Sequence, residues 1–381
     1  MQSRYLLDLY PNRGLAFVRG DGVFLETSDG RRYLDLMTNY GVSIFGYNHP
    51  ALTRALAQQL QALPTLHSSF ANDTRMRASQ ALVERLPFKP AYLCWTNSGT
   101  EAIEAALKFA VLAMGKKRLV ACRNGYHGKT LGALSATHSP KYRARFEPLL
   151  WRFTHVEFGV AEALGNAIDA ETAAVIVEPI QGESGVIVPP VGYLREVRRL
   201  CDEAGVLLIL DEIQTGCGRT GRFTAAEHEG VSPDILCLGK GLAGGIPVGV
   251  TAVGQRVADN VTRSSHTSTF GGNPLACAGV LAVLDLLTKP ALAAIAKLGE
   301  DFAARLSQIH SELVVDVRGR GLMVGVAVRD QRDAILKGLQ QEGILAIPAG
   351  TDVVRFLPPY IVQPEHLDLA AEALERVLAR V

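Results

Sequence analysis

The sequence lacks an excess of either charge. Lys and Arg total 39, Asp and Glu total 38, and the formal net charge is +1. A basic nucleic-acid surface is therefore not expected, and no long run of like charge marks an interaction tail. No apolar run approaches the length that crosses a bilayer, so no membrane partner is expected either. The first ten residues contain Arg4 and Asp8 but no hydrophobic stretch, and they show no secretion signal. Cysteine pairs at metal-binding spacing are missing. Cys94, Cys122, Cys201, Cys217, Cys237 and Cys277 are scattered without a CxxC, and they read as reduced thiols of a cytoplasmic protein. No metal site is expected. Internal repeats and low-complexity tracts are absent as well. What remains is a 381-residue chain, 48% apolar, long enough for a large core and two domains.

Residues 14–36 carry short β-like runs separated by the turn pairs Asp21-Gly22 and Asp29-Gly30. From about residue 50, short apolar runs alternate with helical stretches. Runs at 92–96, 118–122, 173–177, 206–210 and 235–238 read as buried strands. Between them, residues 100–114 place Ile103, Ala106, Leu107, Ala110 and Met114 on one helical stripe, with Glu104 and Lys108 as an i,i+4 pair. This alternation implies an α/β domain with a mainly parallel sheet over 49–287. A smaller α+β domain is expected from 288–381, where helices at 290–310 and 363–381 bracket mixed strands, joined by the N-terminal segment 1–48.

Asp211 closes the run Val206-Leu207-Leu208-Ile209-Leu210, and a carboxylate at the mouth of a buried strand is costly unless something positive meets it. Lys240 follows another such run, inside Gly239-Lys240-Gly241-Leu242-Ala243-Gly244-Gly245, where glycines leave no side chain to crowd it. An amine at one strand end and a carboxylate at another suit pyridoxal 5′-phosphate (PLP): the amine forms a Schiff base with the aldehyde, and the carboxylate holds the pyridine nitrogen protonated.

Other segments fit a strand-end site. Asn97-Ser98-Gly99-Thr100-Glu101-Ala102 follows a strand and opens a helix, which makes a seat for phosphate. Glu183, in Glu178-Pro179-Ile180-Gln181-Gly182-Glu183, comes shortly after another strand. Arg355 lies within an apolar segment, where an arginine usually meets a carboxylate. The hydroxyl-rich run from Ser264 to Thr269 could bind phosphate or carboxylate. A rival reading is a nucleotide hydrolase, since Gly128-Lys129-Thr130 resembles the end of a Walker loop and Leu207 to Asp211 a Walker B strand. It fails where the loop needs glycine and position 123 is arginine.

Taken in order, Asn97-Ser98-Gly99-Thr100-Glu101-Ala102, Tyr126-His127-Gly128, Glu178 to Glu183, Asp211-Glu212-Ile213-Gln214, Gly239-Lys240 and Ser268-Thr269-Phe270-Gly271-Gly272-Asn273-Pro274 resemble the class III aminotransferases. The resemblance runs from Arg13-Gly14-Leu15 to Arg355-Phe356-Leu357-Pro358-Pro359. Within the family the chain is most similar to the acetylornithine branch, which includes enzymes acting on LysW-linked aminoadipate semialdehyde.

This resemblance implies PLP fold type I and a homodimer with shared active sites. It implies that Lys240 anchors the cofactor, Asp211 pairs with the pyridinium nitrogen, Gln214 reaches the phenolic oxygen and Tyr126 stacks on the ring. Gly99 and Thr100 would bind the phosphate, joined by Thr269 of the partner subunit. Ser268 and Lys129 would face the amino donor, and Tyr40 would contact substrate. Arg355 would take the α-carboxylate of glutamate or 2-oxoglutarate, with Glu183 pairing to it when another substrate is bound. The implied reaction moves a terminal amino group from an acetylornithine-like or carrier-linked donor to 2-oxoglutarate. Acetylornithine enzymes carry arginine at the position of Lys129, so putrescine, 4-aminobutyrate and ornithine stand as alternative donors.

Overall fold

The computed structural model describes residues 5–89 and 92–381. Its first sheet is the antiparallel meander β1 (Phe17–Asp21), β2 (Phe24–Thr27) and β3 (Arg32–Asp35). Gly22 and Gly30 turn this chain with φ of 53° and 81°, which is why both turn pairs end in glycine. Helices α1 (Pro50–Ala62) and α2 (Asp73–Arg85) follow.

The central sheet holds β4 (Tyr92–Thr96), β5 (Arg118–Cys122), β6 (Phe153–Val156), β7 (Thr172–Val177), β8 (Leu207–Asp211), β9 (Ile235–Leu238) and β10 (Gly249–Val253). The order is β4-β10-β9-β8-β7-β5-β6. β10 runs antiparallel to β9 and β4, while the other strand pairs are parallel. The five strands expected from apolar runs are all present. β6 and β10 are additional. β6 is half-buried and carries Thr154 and His155, and β10 breaks its apolar run with Gly249 and Thr251.

Helices cover both faces. Leu207 and Ile209 of β8 pack with Ile103, Ala106 and Ala110 of α3 (Gly99–Met114). Leu208 and Leu210 pack on the opposite face with Val197 and Cys201 of α4 (Tyr193–Ala204). Alternate residues of one strand thus enter two cores, which is why the run is apolar throughout. Glu104 does not pair with Lys108. Its carboxylate instead accepts from the backbone amides of Gly132 and Ala133, capping the short helix at Leu131–Ala136. Unpaired amides at a helix start outcompete the i,i+4 ion pair.

After α5 (Pro274–Leu286) and α6 (Lys289–Ser307) come the hairpin β11 (Val314–Arg320) and β12 (Met323–Val328) and a helix not expected from sequence, α7 (Arg332–Gln341). Then follow β13 (Ile344–Leu345), β14 (Ile347–Ala349), β15 (Val353–Phe356) and α8 (Pro364–Leu378). β13 pairs in parallel with β3, so the two ends of the chain share one sheet. β11, β12, β15 and β14 form another. No single helix among the described residues is long and apolar enough to cross a membrane.

α6 rests directly on the β11–β12 turn. A Cβ on Gly299 would stand 2.0 Å from the Gly321 carbonyl oxygen. Alanine gains about 1 kcal/mol over glycine in a helix interior, but the clash reverses the sign. Gly299→Ala is expected to lower the urea midpoint, and an unchanged or raised midpoint would show that the contact does not hold the helix down.

Candidate active site

The C-terminal ends of β7, β8 and β9 open on a cavity of about 280 Å³. Asp211, the last residue of β8, lies at its floor. Its Oδ1 accepts from the Ile213 amide at 3.1 Å, and its Oδ2 meets His127 Nδ1 at 2.8 Å. His127 is buried. Burial alone would lower its pKa, but the hydrogen bond and charge of Asp211, with Glu178 beyond, hold it above the ordinary histidine value. The imidazole therefore serves as donor to the carboxylate.

Lys240 stands two residues past β9 with φ of 40°, a strained position for a side-chain-bearing residue. Burial pulls its amine below the ordinary lysine pKa, and the charges of Glu183 and Asp211 offset this only in part. Among the described residues no hydrogen bond ties the amine down.

Gly99 and Thr100 begin α3, whose cap is Ser98 accepting from the Glu101 amide. A Cβ on Gly99 would sit 2.8 Å from Ile213, and one on Gly128 would sit 2.3 Å from Thr100 Oγ1. Two missing side chains keep this helix start open as an anion cradle. The Thr100 and Thr130 hydroxyls share a hydrogen bond at 2.8 Å. Tyr126 lines the same cavity, with its ring edge-on to Tyr142 at 5.8 Å.

Across the mouth, Arg355 of β15 is fully buried. Its Nη2 donates to Glu183 Oε1 at 2.8 Å and its Nη1 to Gln214 Oε1 at 2.9 Å. Burial works against the Glu183 carboxylate, yet Arg355 first and Lys240 next hold its pKa below the usual range. Tyr40 reaches this pair, 5.9 Å from its ring centroid to the guanidinium carbon. It does so from a left-handed turn in which Thr38, Asn39 and Tyr40 have φ of 43°, 51° and 59°. Asp35 accepts from the Met37 and Thr38 amides, and Thr38 Oγ1 donates to the Leu357 carbonyl, so the strained turn is anchored from two sides.

Lys129 is exposed at the cavity edge, with Nζ 4.9 Å from the Tyr142 ring centroid. Ser268 and Thr269 lie outside the cavity. Ser268 accepts from Asn97 and faces a separate hollow of about 1090 Å³ beside His67 and Trp95. In the Walker-like segment Lys129 turns toward Tyr142 and Thr130 toward Thr100, so Gly128-Lys129-Thr130 forms part of the rim of this cavity.

Sequence reasoning assigned no role to His127 or Glu178. Glu178 is buried, with burial pushing its carboxyl up to about 7 against the opposing charge of His127. Its signal was available, because it directly follows the last residue of β7 just as Asp211 ends β8.

The chemistry of this set is specific. A poorly solvated amine, a carboxylate backed by a histidine, and a helix-start cradle fit a small aromatic aldehyde that carries a phosphate and a ring nitrogen. The lowered pKa of Lys240 also predicts that, in cofactor-free protein near pH 8, reductive methylation marks Lys240 ahead of the solvated lysines. Peptide mapping by mass spectrometry reads this, and Lys240 emerging among the slowest lysines would contradict it.

The family model for Aminotransferase class-III matches residues 10–378. The chain is 42% identical to the acetylornithine aminotransferase of Methanopyrus kandleri, over 99% of this chain and 97% of that one. It is 41% identical to the [LysW]-aminoadipate semialdehyde/glutamate semialdehyde transaminase of Sulfolobus acidocaldarius, over 99% and 98% of the two chains. A solved structure of the ornithine aminotransferase from Toxoplasma gondii, with PLP at partial occupancy in its active site, superposes with a TM-score of 0.94 at 33% identity, covering 99% of this chain and 92% of that chain. Strand-end lysine, histidine-backed aspartate and glycine cradle thus sit within a fold and sequence shared along the whole chain: it belongs to the class III aminotransferases, PLP-dependent transaminases of the α/β fold type I.

Proposed function

We propose that the enzyme moves the terminal amino group of an acetylornithine-like or carrier-linked lysine-like donor to 2-oxoglutarate, yielding a semialdehyde and glutamate in arginine or lysine biosynthesis. The observation that carries this reading is the Glu183–Arg355 pair beside Lys240, at 2.8 Å. One site must accept a terminal amine first and a dicarboxylic keto acid second. While Glu183 covers Arg355, the mouth is neutral to the first substrate. Once Glu183 turns away, Arg355 can grip the α-carboxylate of the second with two parallel hydrogen bonds. The names borne by the archaeal relatives support the donor class.

In this reading Lys240 anchors PLP covalently, Asp211 with His127 behind it holds the ring nitrogen protonated, and Gly99 and Thr100 hold the phosphate. Tyr126 would stack on the ring and Gln214 would reach its phenolic oxygen, both from the lining of the same cavity. Bound PLP supplies an electron sink for the bond between hydrogen and the amine-bearing carbon. Once the donor amine has displaced it, Lys240 Nζ, its pKa reduced by burial, would take that proton and deliver it within the same half-reaction to the carbon that carried the aldehyde, and the second half-reaction would run the same transfer in reverse. Lys129 meets the far carboxylate of the donor as a point charge, and Tyr40 packs beside Arg355. Ser268 and Thr269, which lie outside their own cavity, complete the site of a second copy in a cytoplasmic homodimer. A carrier protein bearing the donor is a further partner in this reading. The chain divides into domains at 48–49 and 287–288, with the β3–β13 pair joining its outer segments.

A panel of donors with 2-oxoglutarate tests the proposal. Acetylornithine is expected to exceed putrescine, 4-aminobutyrate and ornithine in kcat/KM. A preference for putrescine by a factor of ten, about 1.4 kcal/mol at the transition state, would leave the transaminase in place and remove the biosynthetic donor.

A further inference from the structure

Glu178 touches two loops at once. Its Oε1 accepts from the Tyr126 amide at 2.9 Å, and its Oε2 accepts from the Gly182 amide at 3.3 Å. Tyr126 carries the ring that lines the cavity, and Gly182 immediately precedes Glu183, the residue that covers Arg355. Gly182 packs closely on Gln214. A Cβ there would stand 2.1 Å from Gln214 Oε1, the same oxygen that receives Arg355 Nη1. Farther from the cavity the two loops are also stitched by Gln181 Nε2 donating to the Arg123 carbonyl at 2.8 Å and by Ser184 Oγ donating to the Asn124 carbonyl. Asn124 itself turns with φ of 62°, so the Tyr126 loop is held in a strained shape by these contacts.

We propose that Glu178 is a positioning residue that couples the loop bearing Tyr126 to the loop bearing Glu183, so that uncovering Arg355 is felt at the face of the cofactor site. The idea rests on the movable Glu183–Arg355 pair proposed above. A buried carboxylate that accepts from two backbone amides ties them more strongly than a neutral acceptor would, and an amide side chain can accept from one of them only. Turning Glu183 off Arg355 shifts the Gly182 amide. Glu178, pinned between two amides, passes that shift to Tyr126.

Hydrogen–deuterium exchange on the PLP-loaded, full-length enzyme reads both loops without turnover. The probe is glutarate, a dicarboxylate of the length of 2-oxoglutarate that lacks the keto group. In wild type, saturating glutarate is expected to change exchange of residues 179–185 and of residues 123–130 together, each by about fivefold, the low end of a coupling between sites. In Glu178→Gln the first response is expected to persist, while the second shrinks at least about threefold as one of two charge-assisted bonds is lost. In steady state the variant should then show a raised KM for 2-oxoglutarate with a smaller change in kcat. A wild-type response confined to 179–185, or a variant that keeps both responses in full, overturns the coupling. A response in neither loop overturns the Arg355 reading itself, and the coupling with it. If the glutamine variant does not fold, Glu178→Asp, which keeps the charge but is one methylene too short to reach both amides, takes its place and is expected to lose the second response in the same way.

Discussion

Asp211 ends a strand buried on both faces, and its carboxylate is affordable there because His127 meets it at 2.8 Å. Removing a carboxylate from water without a partner costs several kcal/mol, so Asp211 is stable at this position only as half of the pair. The remaining charges follow the same logic. Arg355 has Glu183 and Gln214, Glu178 has two backbone amides, and Lys240 sits within reach of the charges of Glu183 and Asp211. Each ionisable group is buried or partly buried, and each has a polar or oppositely charged neighbour within the same cluster.

The sheet decides where this cluster forms. β7, β8 and β9 run parallel, so Glu178, Asp211 and Lys240 emerge side by side at the same edge. α3 starts at that edge too, and its open first turn supplies the cradle. Around the rim the backbone is strained: Thr38 to Tyr40, Asn124 and Lys240 all adopt positive φ. Such conformations persist where surrounding contacts over-determine them, here the Asp35 amide bonds and the packing beneath. Lys240 is thereby placed at this edge by backbone geometry, and its amine makes no hydrogen bond among the described residues.

Most of this was legible in the residues. Strands buried on both faces write themselves as unbroken apolar runs, so β5, β7, β8 and β9 could be read directly, whereas β4, read as buried from the same signal, is an edge strand with Tyr92 exposed. β6, half-buried with a histidine and threonines, and β10, interrupted by Gly249 and Thr251, could not. α7 escaped because its buried stripe is limited to Ile335, Leu336 and Leu339 among polar residues. At the site, Lys240, Asp211, Gly99 and Thr100 were legible because each ends or begins an element. His127 was not, since its partner is 84 positions away and no local pattern announces a contact across the sheet. The placement of Glu104 on Gly132 and Ala133 was hidden for the same reason.

The central claim is that the buried Asp211 carboxylate, backed by His127, makes the bound cofactor an electron sink. Asp211→Asn keeps the shape and removes the charge. In stopped flow with glutamate as donor, the account predicts that the variant retains bound cofactor while its half-reaction slows by about 10²–10⁴. A half-reaction at the wild-type rate, with cofactor fully bound, would contradict it.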